Sequence, residues 1–240
     1  EKLAKHSKQL KQLQTAWSKP GKFNLLEDPM LSFRFHNLRG EILNDLGSLV
    51  EENPSVGSHA SKAGATPAEI FGEAGSHFDL NCRRLGKIIL GNLGNGNGRT
   101  RTSTTLGAGL QSETLVSMAA SSYFRYAQFC KARYEVDREG SKGGGEDNDN
   151  LVVYRRAFVE SVLQAVRHGA SDATMYLPKV VEMIRADEES RQKFSALART
   201  IPCWRFIRWA SQMLATLKEA ADDASMEQIV PILKLIARHY

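Results

Sequence analysis

The sequence predicts an all-α fold, an α-solenoid of antiparallel helix pairs, and three observations predict it. Apolar residues recur at intervals of three and four along most of the 240 residues, which is the helical period. No stretch shows the apolar–polar alternation of a half-buried strand. The helical patterns are also separated by short breaks rich in Gly, Pro, Ser and Asn, so each amphipathic helix has a neighbour at hand to cover its stripe. No repeat is regular enough to fix a period.

The elements follow in order. Residues 2–17 form a helix with Leu3, Leu10, Leu13 and Trp17 on one side and Lys2, Lys5, Lys8 and Lys11 on the other; Pro20-Gly21 ends it. Met30 to Val50 is a second helix, with Leu31, Phe35, Leu38, Ile42, Leu46 and Leu49 as its stripe and the first helix as its expected partner. Residues 52–65 are a loop. Thr66-Pro67-Ala68-Glu69 reads as a capping box with proline at the first helical position, opening a helix through Phe71, Phe78 and Leu85 to about Leu93. The glycine-rich run Gly91 to Gly98 and the following Arg- and Thr-rich residues 99–105 are expected to be a linker, because glycine loses much entropy on ordering and offers no packing. A fourth helix covers about Gln111 to Val136, and residues 138–150, with Gly143-Gly144-Gly145, form a disordered insert.

Beyond it the helices shorten. Leu151 to His168 ends at Gly169 in the place of a left-handed C-terminal residue. Ser171 is expected to cap the next helix, in which Pro178 must force a kink or a restart. Glu188 to Ala198 is a short helix. Residues 202–218 form a helix opened by Pro202, whose apolar residues, Trp204, Phe206, Ile207, Trp209 and Met213 among them, span an arc of roughly 220° at ~100° per residue. An arc that wide predicts burial on several sides. Ser225-Met226-Glu227-Gln228 is a second capping box, and a last helix through Ile229, Ile232 and Ile236 is still running at Tyr240. We expect a piece of a longer chain, divided into helical repeats with a Gly-rich linker over 1–110 and further repeats over 111–240.

Composition narrows the function. Hydrophobic residues make up 42% and charged residues 25%, as in globular domains. No apolar run approaches the ~18 residues of a membrane span and no leader pattern is present, so no membrane partner is expected. Cys82, Cys130 and Cys203 are odd in number and none lies in a CxxC, which points to a reducing compartment without a disulfide framework or zinc site. The net charge of +5 permits contact with nucleic acid or acidic partners without requiring it.

The sequence offers no catalytic, cofactor-binding or metal-binding residues. The glycine run has neither G-x-G-x-x-G nor G-x-x-x-x-G-K-[ST] and follows a helix, so no phosphate cradle forms there. His6, His36, His59, His77, His168 and His239 lie at no metal-ligand spacing. Asp187-Glu188-Glu189 suits a helix N-terminus. The aromatic–basic clusters Tyr123 to Arg133 and Trp204 to Trp209 could stack nucleic-acid bases, but their aromatics fall on arcs that need burial. Ser211-Gln212 is the single Ser-Gln or Thr-Gln pair, and Ser211 is expected at the edge of the buried arc, where a phosphate is costly. Thr100, Thr102 and Thr104, flanked by arginines, are the more accessible candidates for modification.

Pro202-Cys203-Trp204-x-Phe206-Ile207-x-Trp209, with Met213-Leu214 after it, resembles the late part of the FAT domain of the phosphatidylinositol 3-kinase-related protein kinases. Leu177-Pro178-x-Val180-Val181-x-x-Ile184 is similar to the proline-containing helix before that motif, and Phe124-x-Tyr126-Ala127-x-Phe129-Cys130 resembles a FAT helix less specifically. The resemblance implies TPR- or HEAT-like repeats in a noncatalytic scaffold. It also implies a nuclear, DNA-damage-responsive serine/threonine kinase acting in end joining with the Ku heterodimer and DNA ends. The scaffold's direct partners would be the parent's own kinase domain, where ATP and Mg would bind outside this chain, and neighbouring helical repeats. A free-standing helical-repeat adaptor is the alternative, and a basic nucleic-acid-binding domain a third.

Overall fold

The computed structural model describes residues 5–6, 8–12, 15, 29–52, 66–94, 105–140, 149–219 and 226–240. These residues are all-α, in packed helix pairs of the kind that build an α-solenoid, and no strand occurs among them. The chain divides into two compact units, Glu1–Ser103 and Thr104–Tyr240.

In the first unit α1 (Pro29–Glu52) packs on α2 (Pro67–Gly94). The α1 stripe is thus covered by α2, and the expected pairing with residues 2–17 falls largely outside the described residues. The pair is antiparallel, since Asn37 bonds Asn81 and His36 meets His77, while Arg39, further along α1, reaches back to Glu73. Two glycines set the close approach. A Cβ on Gly47 would lie 2.6 Å from the Phe71 ring and one on Gly40 would lie 2.9 Å from the Phe78 ring, so the rings of α2 seat against bare backbone of α1. Leu38 is exposed instead of facing inward. The α2 start is the expected capping box: Thr66 N–H donates to Glu69 Oε2 at 2.7 Å, and Glu69 N–H donates to Thr66 Oγ1 at 3.3 Å.

The boundaries around the glycine-rich segments differ from expectation. Helix α2 runs on to Gly94, and α3 (Thr105–Gly140) starts six residues before the expected Gln111. Residues 105–109 and 138–140 are therefore helical, as are Asp149 and Asn150 at the start of α4 (Asp149–His168). Residues 95–104 and 141–148 lie outside the described residues, as does Ser225 of the second capping box.

The second unit is organised on α4. Phe158, Val159, Ser161, Val162, Leu163, Ala165 and Val166 are all buried, an unbroken width that a one-sided helix does not show. Around α4 pack α3, a 3₁₀ segment Ser171–Tyr176, α5 (Leu177–Ala186) and α6 (Glu188–Ala198). The many-sided burial expected of the tryptophan helix belongs to α4. Helix α4 ends in a Schellman motif. Gly169 has φ 98, its N–H donates to Val166 O, and Ala170 N–H donates to Ala165 O.

The following segment corrects the expected cap. Ala170, not Ser171, is the N-cap of the 3₁₀ segment, and Ser171 Oγ is turned to Asp172 Oδ1. Pro178 causes the restart: α5 begins at Leu177 with the proline in its first turn, where its missing N–H costs nothing. A second 3₁₀ segment, Cys203–Trp209, leads into α7 (Ala210–Glu219), and α8 (Met226–His239) packs on that segment, α7 and α6. Pro202 is thus an extended N-cap (ψ 131) and not the first residue of a single helix over 202–218.

Candidate interaction surface

Two places bring chemically capable side chains together, one in each unit. In the first unit a polar seam lies inside the α1–α2 contact. Arg84 Nη1 donates to Ser32 Oγ at 2.7 Å and faces His36 Nε2 at 3.4 Å. A guanidinium can only donate, so His36 Nε2 accepts and its proton sits on Nδ1. That proton points at His77 Nδ1, 2.9 Å away. His77 then carries its own proton on Nε2, which faces Glu73 Oε1 at 3.8 Å, and the same oxygen takes Arg39 at 2.6 Å. Both imidazoles are held neutral. Burial first, then His77, Arg84 and Arg39, hold His36 down to about 4; burial and Arg39 lower His77, against the opposing pull of Glu73. Two arginines beside two imidazoles oppose a bound cation, and no cluster of three metal-ligating side chains occurs among the described residues. The seam is a matched set of donors and acceptors that fixes the helix pair in register. Sequence spacing missed it because the two histidines are 41 residues apart.

In the second unit the 203–219 run separates into an inner and an outer face. Phe206, Trp209 and Met213 are buried, and Trp209 Nε1 donates to Thr174 O at 2.5 Å. Trp204, Ile207 and Leu214 are 49%, 42% and 56% exposed, which corrects the expectation that Trp204 is a core residue. The reason is the 3₁₀ geometry of residues 203–209: three residues per turn place 206 and 209 in line and turn 204 and 207 outward. Ser211 is likewise exposed, not at a buried edge. The Trp204 ring carries the Arg205 guanidinium at 4.1 Å from its centroid, a cation–π contact. Arg205 also covers Gly169, Nη1 lying 2.7 Å from where a Cβ there would be, and its Nε is buried with no acceptor among the described residues. A cleft of about 170 Å³ opens between the Gly169 turn and Trp204, Arg205 and Arg208.

The remaining sequence candidates have structural roles. Asp187 caps α6, accepting from Ser190 N–H at 2.9 Å and Ser190 Oγ at 2.7 Å, and takes Arg156 of α4 at 3.2 Å. Burial raises its pKa, but these hydrogen bonds outweigh burial and hold it down to about 2. In the Tyr123 to Arg133 cluster Phe129, Cys130 and Arg133 are buried, and Tyr123 stacks on His168 at 5.7 Å. Burial, helped by Arg167 and Arg205, lowers His168 to about 4. Lys5, Lys8 and Lys11 are exposed. Lys2, His59, Thr100, Thr102 and Thr104 fall outside the described residues. No described helix is long and apolar enough to cross a membrane.

The DNA-dependent protein kinase catalytic subunit of Dictyostelium discoideum is 26% identical over 136 residues, 55% of this chain. That of Xenopus laevis is 27% identical over 122 residues and that of Mus musculus 29% over 127. The same protein recurs from an amoeba to a mammal. Over about half its length, then, the chain is similar to a segment of these protein kinase catalytic subunits. The match covers 3% of each relative, so it concerns a small segment of a very long protein. No protein-family profile matches the chain.

Proposed function

We propose that this chain is a noncatalytic helical scaffold segment of a DNA-damage-responsive serine/threonine kinase, its late helices forming part of a FAT domain. The observation that carries the reading is the repeated similarity to one kinase catalytic subunit across distant organisms. The packing supports it: Asn37 with Asn81 and Trp209 with Thr174 bond inside helix contacts, and Asp187 with Ser190 at a cap. A scaffold of this kind acts mechanically. Helix pairs stacked through side chains such as Trp209 and Phe158 transmit a displacement to whatever packs against them, since close-packed interiors yield little.

The parent's kinase domain, outside this chain, would hold ATP and Mg. The segment's partners would be that domain and neighbouring repeats, with the Ku heterodimer and DNA ends engaged through the parent during end joining in the nucleus. Reading the transcript beyond the codon for Tyr240 tests this. A kinase domain with its catalytic Asp and Asn and its metal-binding Asp is expected within several hundred codons. A stop codon soon after Tyr240 would refute the scaffold reading and favour the free-standing adaptor.

A further inference from the structure

We propose that the outer face of residues 203–218 is a docking site for an acidic amphipathic helix presented by a protein partner. The face has the two components such a partner requires. Trp204, Ile207 and Leu214 form an exposed apolar line about 17 Å long, from ~2.0 Å per residue in 3₁₀ and ~1.5 Å in α conformation. That length matches roughly three turns of a partner helix with apolar anchors at i, i+3 or i+4, i+7 and i+11.

Arg205, Arg208 and Lys218 flank the line, and no Asp or Glu occurs from Cys203 to Lys218. Among the described residues none of these three cations has a carboxylate partner, whereas Arg138, Arg156, Arg191 and Lys193 each rest on one. The nearest acidic residue of the adjoining turn, Asp172, takes the Ser171 hydroxyl and does not line the cleft. The cleft beside Arg205 and Arg208 is wide enough for one carboxylate, which would meet the buried Arg205 Nε that has no acceptor among the described residues.

Charge selects among occupants. A second copy would bring the same three cations against these three, and like charges across an interface cost several kcal/mol. A nucleic acid would leave Ile207 and Leu214 without a stacking role, since base recognition relies on aromatic faces and a longer cationic track. Exposed Trp beside Arg is also the pairing that dominates protein interface energetics.

The test uses the full 240-residue chain and two labelled 15-residue helical peptides with identical leucine spacing, one with glutamate and one with lysine on the flanks, followed by fluorescence anisotropy. The glutamate peptide should bind, more weakly as salt rises, and the lysine peptide should not. Arg208→Glu and Trp204→Ala, both exposed and expected to leave the thermal melt within a few degrees of the parent, should each weaken binding about tenfold or more. Four results would overturn the proposal: no binding of the glutamate peptide, equal binding of both peptides, affinity unchanged in both variants, or competition by a single-stranded oligonucleotide at comparable concentration. So would concentration-dependent self-association in sedimentation that Trp204→Ala abolishes. The surface is argued from this chain's own side chains, so its failure would leave the transcript test of the scaffold reading untouched.

Discussion

At the scale of residues, the histidine pair makes the sharpest chemical statement. His36 and His77 share one proton between facing Nδ1 atoms, so each added proton sets two N–H groups against each other in a space already bounded by Arg39 and Arg84. The folded pKa values lie below the ordinary 6.5, His36 at about 4. Between those values the unfolded chain binds more protons than the folded one, so stability is complete above about pH 6.5 and is lost as pH falls toward 4. Urea titrations from pH 7.5 to 4 should therefore show the first unit weakening over that window, by roughly 3 kcal/mol at most for His36 from its shift. In His36→Gln most of this slope should disappear; an undiminished slope would remove the pair from the account. Asp187 titrates separately, its contribution lost only below pH 4 as it protonates toward about 2. That Asp187-Glu188-Glu189 heads α6 was legible, because acidic residues at a helix N-terminus are a local pattern; the capping bond of Asp187 to Ser190 was not read from it. The histidine pair was not legible, because it exists only once two distant helices have met.

Among elements, the α1–α2 pair shows what glycine can do inside a helix. Alanine is favoured over glycine there by about 1 kcal/mol, yet a Cβ on Gly47 would sit 2.6 Å from the Phe71 ring, and that ring, 2% exposed, has nowhere to go. Overpacking of this kind costs about 1–3 kcal/mol. Gly47→Ala should therefore lose stability on balance, while Gly72→Ala, exposed with nothing within 4 Å of its Cβ, should gain up to about 1 kcal/mol; thermal melts of the two variants decide it. Helix existence and the capping box at Thr66 were readable because periodicity and caps are short-range. The packing of α2 on α1 was not, since a stripe says that it must be covered and does not say by what. The glycine-rich boundaries at 94 and 105 were misplaced for a related reason. Propensity is a weak force that neighbouring helical turns override.

For the whole molecule, the sequence led to an all-α helical-repeat fold and to a resemblance to kinase-related helical segments; the fold stands, and the chain is similar over about half its length to a protein kinase catalytic subunit. It misassigned the centre of the second unit. A wide apolar arc on 202–218 predicted burial on several sides, but the 3₁₀ turn of residues 203–209 divides that arc: Trp209 goes into the core and Trp204 stays out, while α4 takes the middle position. The packing of the late helices then runs through Trp209 and its bond to Thr174, while Trp204 lies on the exposed outer face. Urea denaturation of the full chain with Trp204→Ala and with Trp209→Ala tests that division most directly. Trp209→Ala should lose about 3–5 kcal/mol as a core truncation and Trp204→Ala about 1 kcal/mol or less, from a surface cation–π contact. Equal losses, or a larger loss at Trp204, would contradict it.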